Sequence, residues 1–133
     1  MNPVFLDTVG LIAAWDKADQ WHDDAEPVFV DLVKSARTML TTTLVLHECG
    51  NAAARRPYRT TVDDLRTWLA AKDWLIEPTT SDLGTAWADY RAATVGAAGI
   101  VDQVSFVVMR RLGITEVFTN DRHFQAAGFV VLF

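Results

Sequence analysis

In the stretch "GIVDQVSFVVMRRLGITEVFTNDRHF", Asp102 stands at the front of one very apolar segment and Asp121 directly behind the next. A charge beside a segment that must be buried is expensive unless something uses it. Two further acids stand in similar places: Asp7 directly follows the apolar "PVFL", and Glu48 lies a few residues beyond "TMLTTT". Either each acid caps a backbone end, or they belong to one site that needs negative charge.

The elements around them decide whether such a site can exist. "PVFLDT" reads as a short buried strand ending at Asp7, followed by helix to about Ala18. His22 to Ala36 has helical spacing, with Val28, Leu32 and Val33 on its inner face. "TMLTTT" is β-branched and apolar, a strand whose last threonines can cap a helix from about Leu44 to Arg55, stopped by Pro57. "TTVDDLRTWLAAK" repeats apolar residues at Val62, Leu65 and Leu69, and "WLIEP" is the next strand. "TSDLGTAWADYRAATVG" puts Leu83, Trp87, Tyr90 and Thr94 on one helical stripe behind a Ser81 cap. "VDQVSFVVMRRLG" is a helix ended by Gly113, and "EVFTN" and "FVVLF" close the chain as strands. Strands separated by helices imply an α/β fold, with a mostly parallel sheet covered on both faces. The chain, residues 1–133, is expected to form a single domain.

In open α/β sheets, ligands bind beyond the carboxyl ends of the strands. Asp7 and Asp121 each follow a strand, while Glu48 and Asp102 lie in the first turns of helices that reach the same edge. Singly, each has an ordinary reading. Asp7 and Asp102 can cap helices, Glu48 can be a solvated first-turn residue, and Asp121 can make a turn before "RHF". Together they predict a shared centre. Converging carboxylates repel unless a cation neutralises them, and hard oxygen ligands suit Mg²⁺ or Mn²⁺.

Composition narrows the alternatives. Half the residues are hydrophobic and 22% are charged, an ordinary globular balance. Seventeen acidic against twelve basic residues leave a formal charge of −5, which argues against a general nucleic-acid coat but not against a local patch. Cys49 is the only cysteine, so no internal disulfide framework exists. The apolar runs are short and interrupted, predicting no membrane span, and "MNPVFLDTVG" lacks signal-peptide character. A cytoplasmic location is expected. His22, His47 and His123 are scattered, with no zinc-ligand spacing, and no phosphate-binding glycine loop is present. A haloacid-dehalogenase phosphatase would want a second aspartate where Val9 stands.

The chain resembles the PIN-domain nucleases, and more narrowly the VapC-type toxins of bacterial toxin–antitoxin pairs. "FLDTVGLIA" matches the opening strand and first acid at Asp7, and "TTTLVLHECGNA" the second motif with Glu48. "IVDQVSFVVMRRLG" matches the third, with Asp102, and "VFTNDRHFQAAGFVVL" the fourth, with Asp121. Val9, Gln103 and Val107 depart from the usual small residues, but no carboxylate is lost. The resemblance implies a three-layer α/β/α sandwich and a Mg²⁺- or Mn²⁺-dependent endoribonuclease acting as a toxin. It also implies a homodimer and a VapB-type antitoxin that masks the acids. Asp7 and Asp102 are then the main metal ligands, with Glu48 and Asp121 acting through water or on a second ion. Thr8, Thr119 and Asn120 become supporting or phosphate-contacting groups. Two other readings are a housekeeping PIN nuclease in RNA processing and a non-cleaving module that binds RNA or protein.

Outside the acids, "RRPYR" is the one compact basic cluster. Arg55, Arg56 and Arg59 read either as a solvated helix end or as an RNA contact, with Tyr58 available to stack. Arg110 and Arg111 read as dipole-compensating residues at a helix end. The tryptophans at 15, 21, 68, 74 and 87 read mostly as core or interface.

Overall fold

The structure, a computed structural model, describes residues 2–133. In chain order it runs β1 (Val4–Leu6), α1 (Thr8–Trp15), α2 (His22–Lys34), β2 (Met39–Thr42), α3 (Thr43–Ala52) and α4 (Arg59–Ala71). There follow β3 (Leu75–Ile76), α5 (Thr80–Ala92), α6 (Ile100–Leu112), β4 (Glu116–Phe118), α7 (Arg122–Ala126) and β5 (Val130–Val131).

The strands form one five-stranded sheet in the order β3-β2-β1-β4-β5, and every pair is parallel. Parallel strands need crossovers, so both faces are covered and strand residues become continuous apolar runs. Val4, Phe5 and Leu6 of β1 are fully buried, as are Val117 and Phe118 of β4. The strand order reverses between β1 and β4, where Leu6 lies opposite Phe118. The chain continuing from these two strands must diverge there, opening a crevice at their carboxyl ends.

Several elements end for reasons of local chemistry. Helix α1 stops at Trp15, short of Ala18, because Asp16 and Asp19 accept backbone N–H bonds from Ala18 and Trp21 in successive turns. Helix α3 is capped by Thr42, whose hydroxyl accepts from Val45, and it ends at Ala52, well before Pro57. The cap of α5 is Thr79, not Ser81: Thr79 and Asp82 exchange side-chain and backbone bonds of 3.0 and 2.9 Å in a capping box. Gly113 ends α6 in the left-handed conformation.

Two expected faces are corrected. Helix α5 buries Asp82 and Ala86, while Trp87 and Tyr90 are exposed. Ala86 and Leu83 pack against Val104 and Val108 of α6, and polar pairing adds to this, since Arg111 binds both oxygens of Asp82 at 2.9 and 2.7 Å. Arg111 is therefore a tie between α5 and α6, and its guanidinium holds the Asp82 carboxyl below the usual range. Arg110 lies over the rings of Phe106 and Phe129. On α2, Leu32 points inward and Val33 outward. Trp21 and Trp87 are exposed, unlike the partly buried Trp15, Trp68 and Trp74.

Helix α1 crosses β4 so closely that a Cβ on Gly10 would run into the Phe118 carbonyl oxygen and ring. Only glycine lets α1 sit this low, and Asp7 stands at the start of that helix. Gly10→Ala is expected to destabilise the fold by about 3 kcal/mol, the upper range for overpacking. Urea unfolding checks this. An unchanged midpoint would mean that α1 can lift without cost.

Candidate active site

Asp7 occupies the junction of β1 and α1. As the N-cap of α1, its Oδ2 accepts from the Val9 N–H at 3.3 Å and from the Thr119 hydroxyl at 2.8 Å. Its Oδ1 is buried with no hydrogen-bond partner, and the residue is only 1% exposed. Burial, reinforced by Asp102, pushes the carboxyl up to about 8, against the pull of the Thr119 bond.

Thr119 joins two of the acids. While its hydroxyl donates to Asp7, it accepts from the backbone N–H of Asp121 at 3.2 Å. Asp121 caps α7, its Oδ1 accepting from the His123 N–H at 2.9 Å. Asp102 lies within the first turn of α6, whose N-cap is Gly99, so Asp102 does no capping work. Burial, then Asp121 and Glu48, push Asp102 up to about 6. Glu48 lies exposed on α3, where Thr42 already serves as cap.

These couplings link all four carboxylates. Asp7 feels Asp102 and Asp121, and Asp102 feels Asp121 and Glu48. Among the described residues, no Lys or Arg forms an ion pair with any of the four. The one cationic candidate is His123, with its Nδ1 3.1 Å from Asp121 Oδ1. One ligand atom each from Asp102, Asp121 and His123 lie within 4.8 Å of one another. That trio is a donor set that fits a divalent cation; Asp7, whose Oδ1 is buried and unpartnered, is not one of the three but is coupled to Asp102 and Asp121 by charge.

The ordinary and the functional readings separate here. Asp7 and Asp121 are caps as well as members of the cluster; Asp102 and Glu48 are not caps at all. Thr8 is buried, its hydroxyl oxygen unpartnered, and Asn120 is half-buried beside Thr119. Arg55 and Arg56 are exposed in the turn after α3, the helix that carries Glu48, whereas Arg59 is tied to that turn through the Ala54 carbonyl at 2.8 Å. His123 belongs beside the acids, which scattered histidine spacing did not disclose. Its signal was its place two residues after Asp121, inside a capped turn. Cys49 is buried, and burial pushes its thiol up to about 12, so it is no nucleophile.

A family model described as PIN domain matches residues 4–130, and the chain belongs to that family. Among solved structures, it is similar to Mycobacterium tuberculosis VapC20, described as a Sarcin-Ricin loop cleaving toxin. The TM-score is 0.80 at 24% identity, over 96% of each chain. No curated protein sequence matches it.

The buried acid makes a pH signature. Asp7's folded pKa of about 8 lies above its unfolded value of 3.8, so the folded state keeps a proton that the unfolded chain loses. Metal-free stability should therefore fall as pH rises from about 4 to about 8, then level off. Asp7→Asn removes the larger share of that fall, leaving the smaller share of Asp102 between about pH 4 and about 6. In chelator at high pH the variant should be more stable than wild type, on the order of a few kcal/mol, with the gap closing toward pH 4. Thermal melts across pH test this, and a variant less stable at high pH would make Asp7 a structural cap first.

Proposed function

We propose that this chain is a Mg²⁺- or Mn²⁺-dependent endoribonuclease and the toxin of a toxin–antitoxin pair. The observation that carries the reading is the acid cluster at the sheet's reversal point, unpaired with any Lys or Arg among the described residues and coupled to the buried Asp7, whose Oδ1 has no partner. A divalent ion bound there would lower the pKa of a water and stabilise charge on phosphoryl oxygens.

The chain's own residues have separable roles. Asp7 and Asp102 would hold the ion: Thr119 and the Val9 N–H occupy Asp7 Oδ2, leaving Oδ1 for it. Asp121, fixed by the Thr119 hydroxyl and the α7 turn, would complete the site through water or a second ion. Glu48 is the most exposed of the four acids and is suited to orient the attacking water or receive its proton. Asn120, half-buried after Thr119, would contact a phosphate oxygen, while the buried Thr8 would support the start of α1 behind Asp7. Arg55, Arg56 and Arg59 would contact phosphates further along the strand, a local positive patch on a chain of charge −5.

An antitoxin helix would be seated on an apolar face. Trp15, Phe29, Val33, Leu65 and Trp68 line an apolar cavity of about 290 Å³ between α1, α2 and α4. It would take the apolar face of a helix, and a basic side chain beyond that helix would pair with the acids. Assembly as a homodimer belongs to the same reading.

Cleavage of RNA by the purified protein, with Mn²⁺ and with chelator, is the test; the sarcin–ricin loop for which VapC20 is described is the first substrate to try. Wild type should cut only with metal. Asp102→Asn should lose more than the roughly 10–100-fold that removal of an outer ligand partner costs. Cutting retained in verified metal-free chelator would rule the mechanism out.

A further inference from the structure

Outside the acids, the least economical surface is the end of α5 and the turn after it. Trp87 and Tyr90 stand 54% and 48% exposed, with ring centroids 5.5 Å apart in an edge-to-face pair. Val95, at the tip of the following turn, is wholly exposed. Neither the core nor the capping of α5 needs these residues, since Asp82, Ala86 and Thr79 serve both.

Between Tyr90 and Val95 lies a pocket of about 370 Å³, lined by these two with Arg91, Thr94, Gly96 and Ala98 among others. Arg91 is exposed and forms no ion pair among the described residues. Gly96 has φ of 90°, a conformation open to glycine, and its carbonyl lies 3.2 Å from His123 Nε2. The other nitrogen of that ring lies 3.1 Å from Asp121 Oδ1. A single imidazole thus spans from the wall of the pocket to the acid cluster.

We propose that this pocket is a nucleotide subsite, in which Tyr90 stacks on a base of single-stranded RNA and Arg91 binds an adjacent phosphate. The inference rests on the ribonuclease reading above and adds to it where the strand lies next to the cut. Half-exposed aromatic faces with an unpaired guanidinium beside them are the recurring means of holding single strands. The charge sign also fits. Near four carboxylates a polyanion needs a fixed cation, and Arg91 is free, whereas Arg111 is committed to Asp82. His123 is then a positioning residue that fixes the subsite's distance from Asp121.

The test is fluorescence anisotropy with a labelled mixed-sequence RNA of about 12 nucleotides, within the span single-strand sites occupy. It is run with Mn²⁺ in an Asp102→Asn background, so that RNA survives. Tyr90→Ala should weaken binding about 10-fold and Tyr90→Phe should not, as expected for loss of one base stack. Arg91→Ala should reduce the log–log salt slope by about 0.7, the value of one single-strand phosphate. If the starting protein binds RNA and Tyr90→Ala binds equally tightly, the subsite is wrong while the nuclease reading stands. If wild type neither binds nor cuts RNA, both fail. Sedimentation of the same variants gives the last outcome: a dimer that becomes monomeric in Tyr90→Ala would make this face an interface between copies and overturn the subsite.

Discussion

The architecture turns on one hydroxyl group. Thr119 donates to Asp7 and accepts from the backbone of Asp121, so the ends of β1 and β4 are cross-linked through their own acids. That bond requires the parallel pairing that sets Leu6 opposite Phe118, and it requires α1 to lie against β4 at Gly10. It also explains how a carboxylate can be buried at the cost it carries. One oxygen is fixed by two donors, and the strain is confined to the other, which has none. A fold selected for stability alone would place an amide or an apolar side chain there.

Much of this was legible because acids beside apolar runs are conspicuous. Asp7 and Asp121 follow strands in the sequence as they do in the structure, and the alternation of strands and helices leads directly to a parallel sheet. Local polar chemistry was harder to read. The Thr79–Asp82 capping box and the Asp82–Arg111 tie turn α5 so that Ala86 faces inward with Leu83 beside it, leaving Trp87 and Tyr90 of the expected stripe outside. Hydrophobic periodicity cannot foresee that a buried carboxylate will choose the inner face, because the partner arginine lies 29 residues away. His123 was legible only in part: its place two residues after Asp121 signals the contact with that acid, but not the contact with the distant carbonyl of Gly96.

The same charges that would hold a cation set the problem of drawing in a polyanion. A chain of net charge −5 with a cluster of four acids repels nucleic acid at long range, so contact must come from a few fixed cations around the cluster. Arg55 and Arg56, exposed in the turn after the helix that carries Glu48, and Arg91, exposed near the end of α5, are the cations that would serve. A helical partner seated in the apolar cavity of Trp15, Phe29 and Trp68 would bring the opposite solution, supplying its own cation to the acids.

On this reading the protonated acids of the cluster exchange their protons for a divalent ion. Calorimetric titration of Mn²⁺ into the purified protein, repeated in buffers of different ionisation enthalpy, counts the protons released on binding. With Asp7 near 8 and Asp102 near 6, close to one proton per ion should leave at pH 7, and the number should fall toward zero well above pH 8. Binding without proton release at pH 7, or no binding at all, would contradict it.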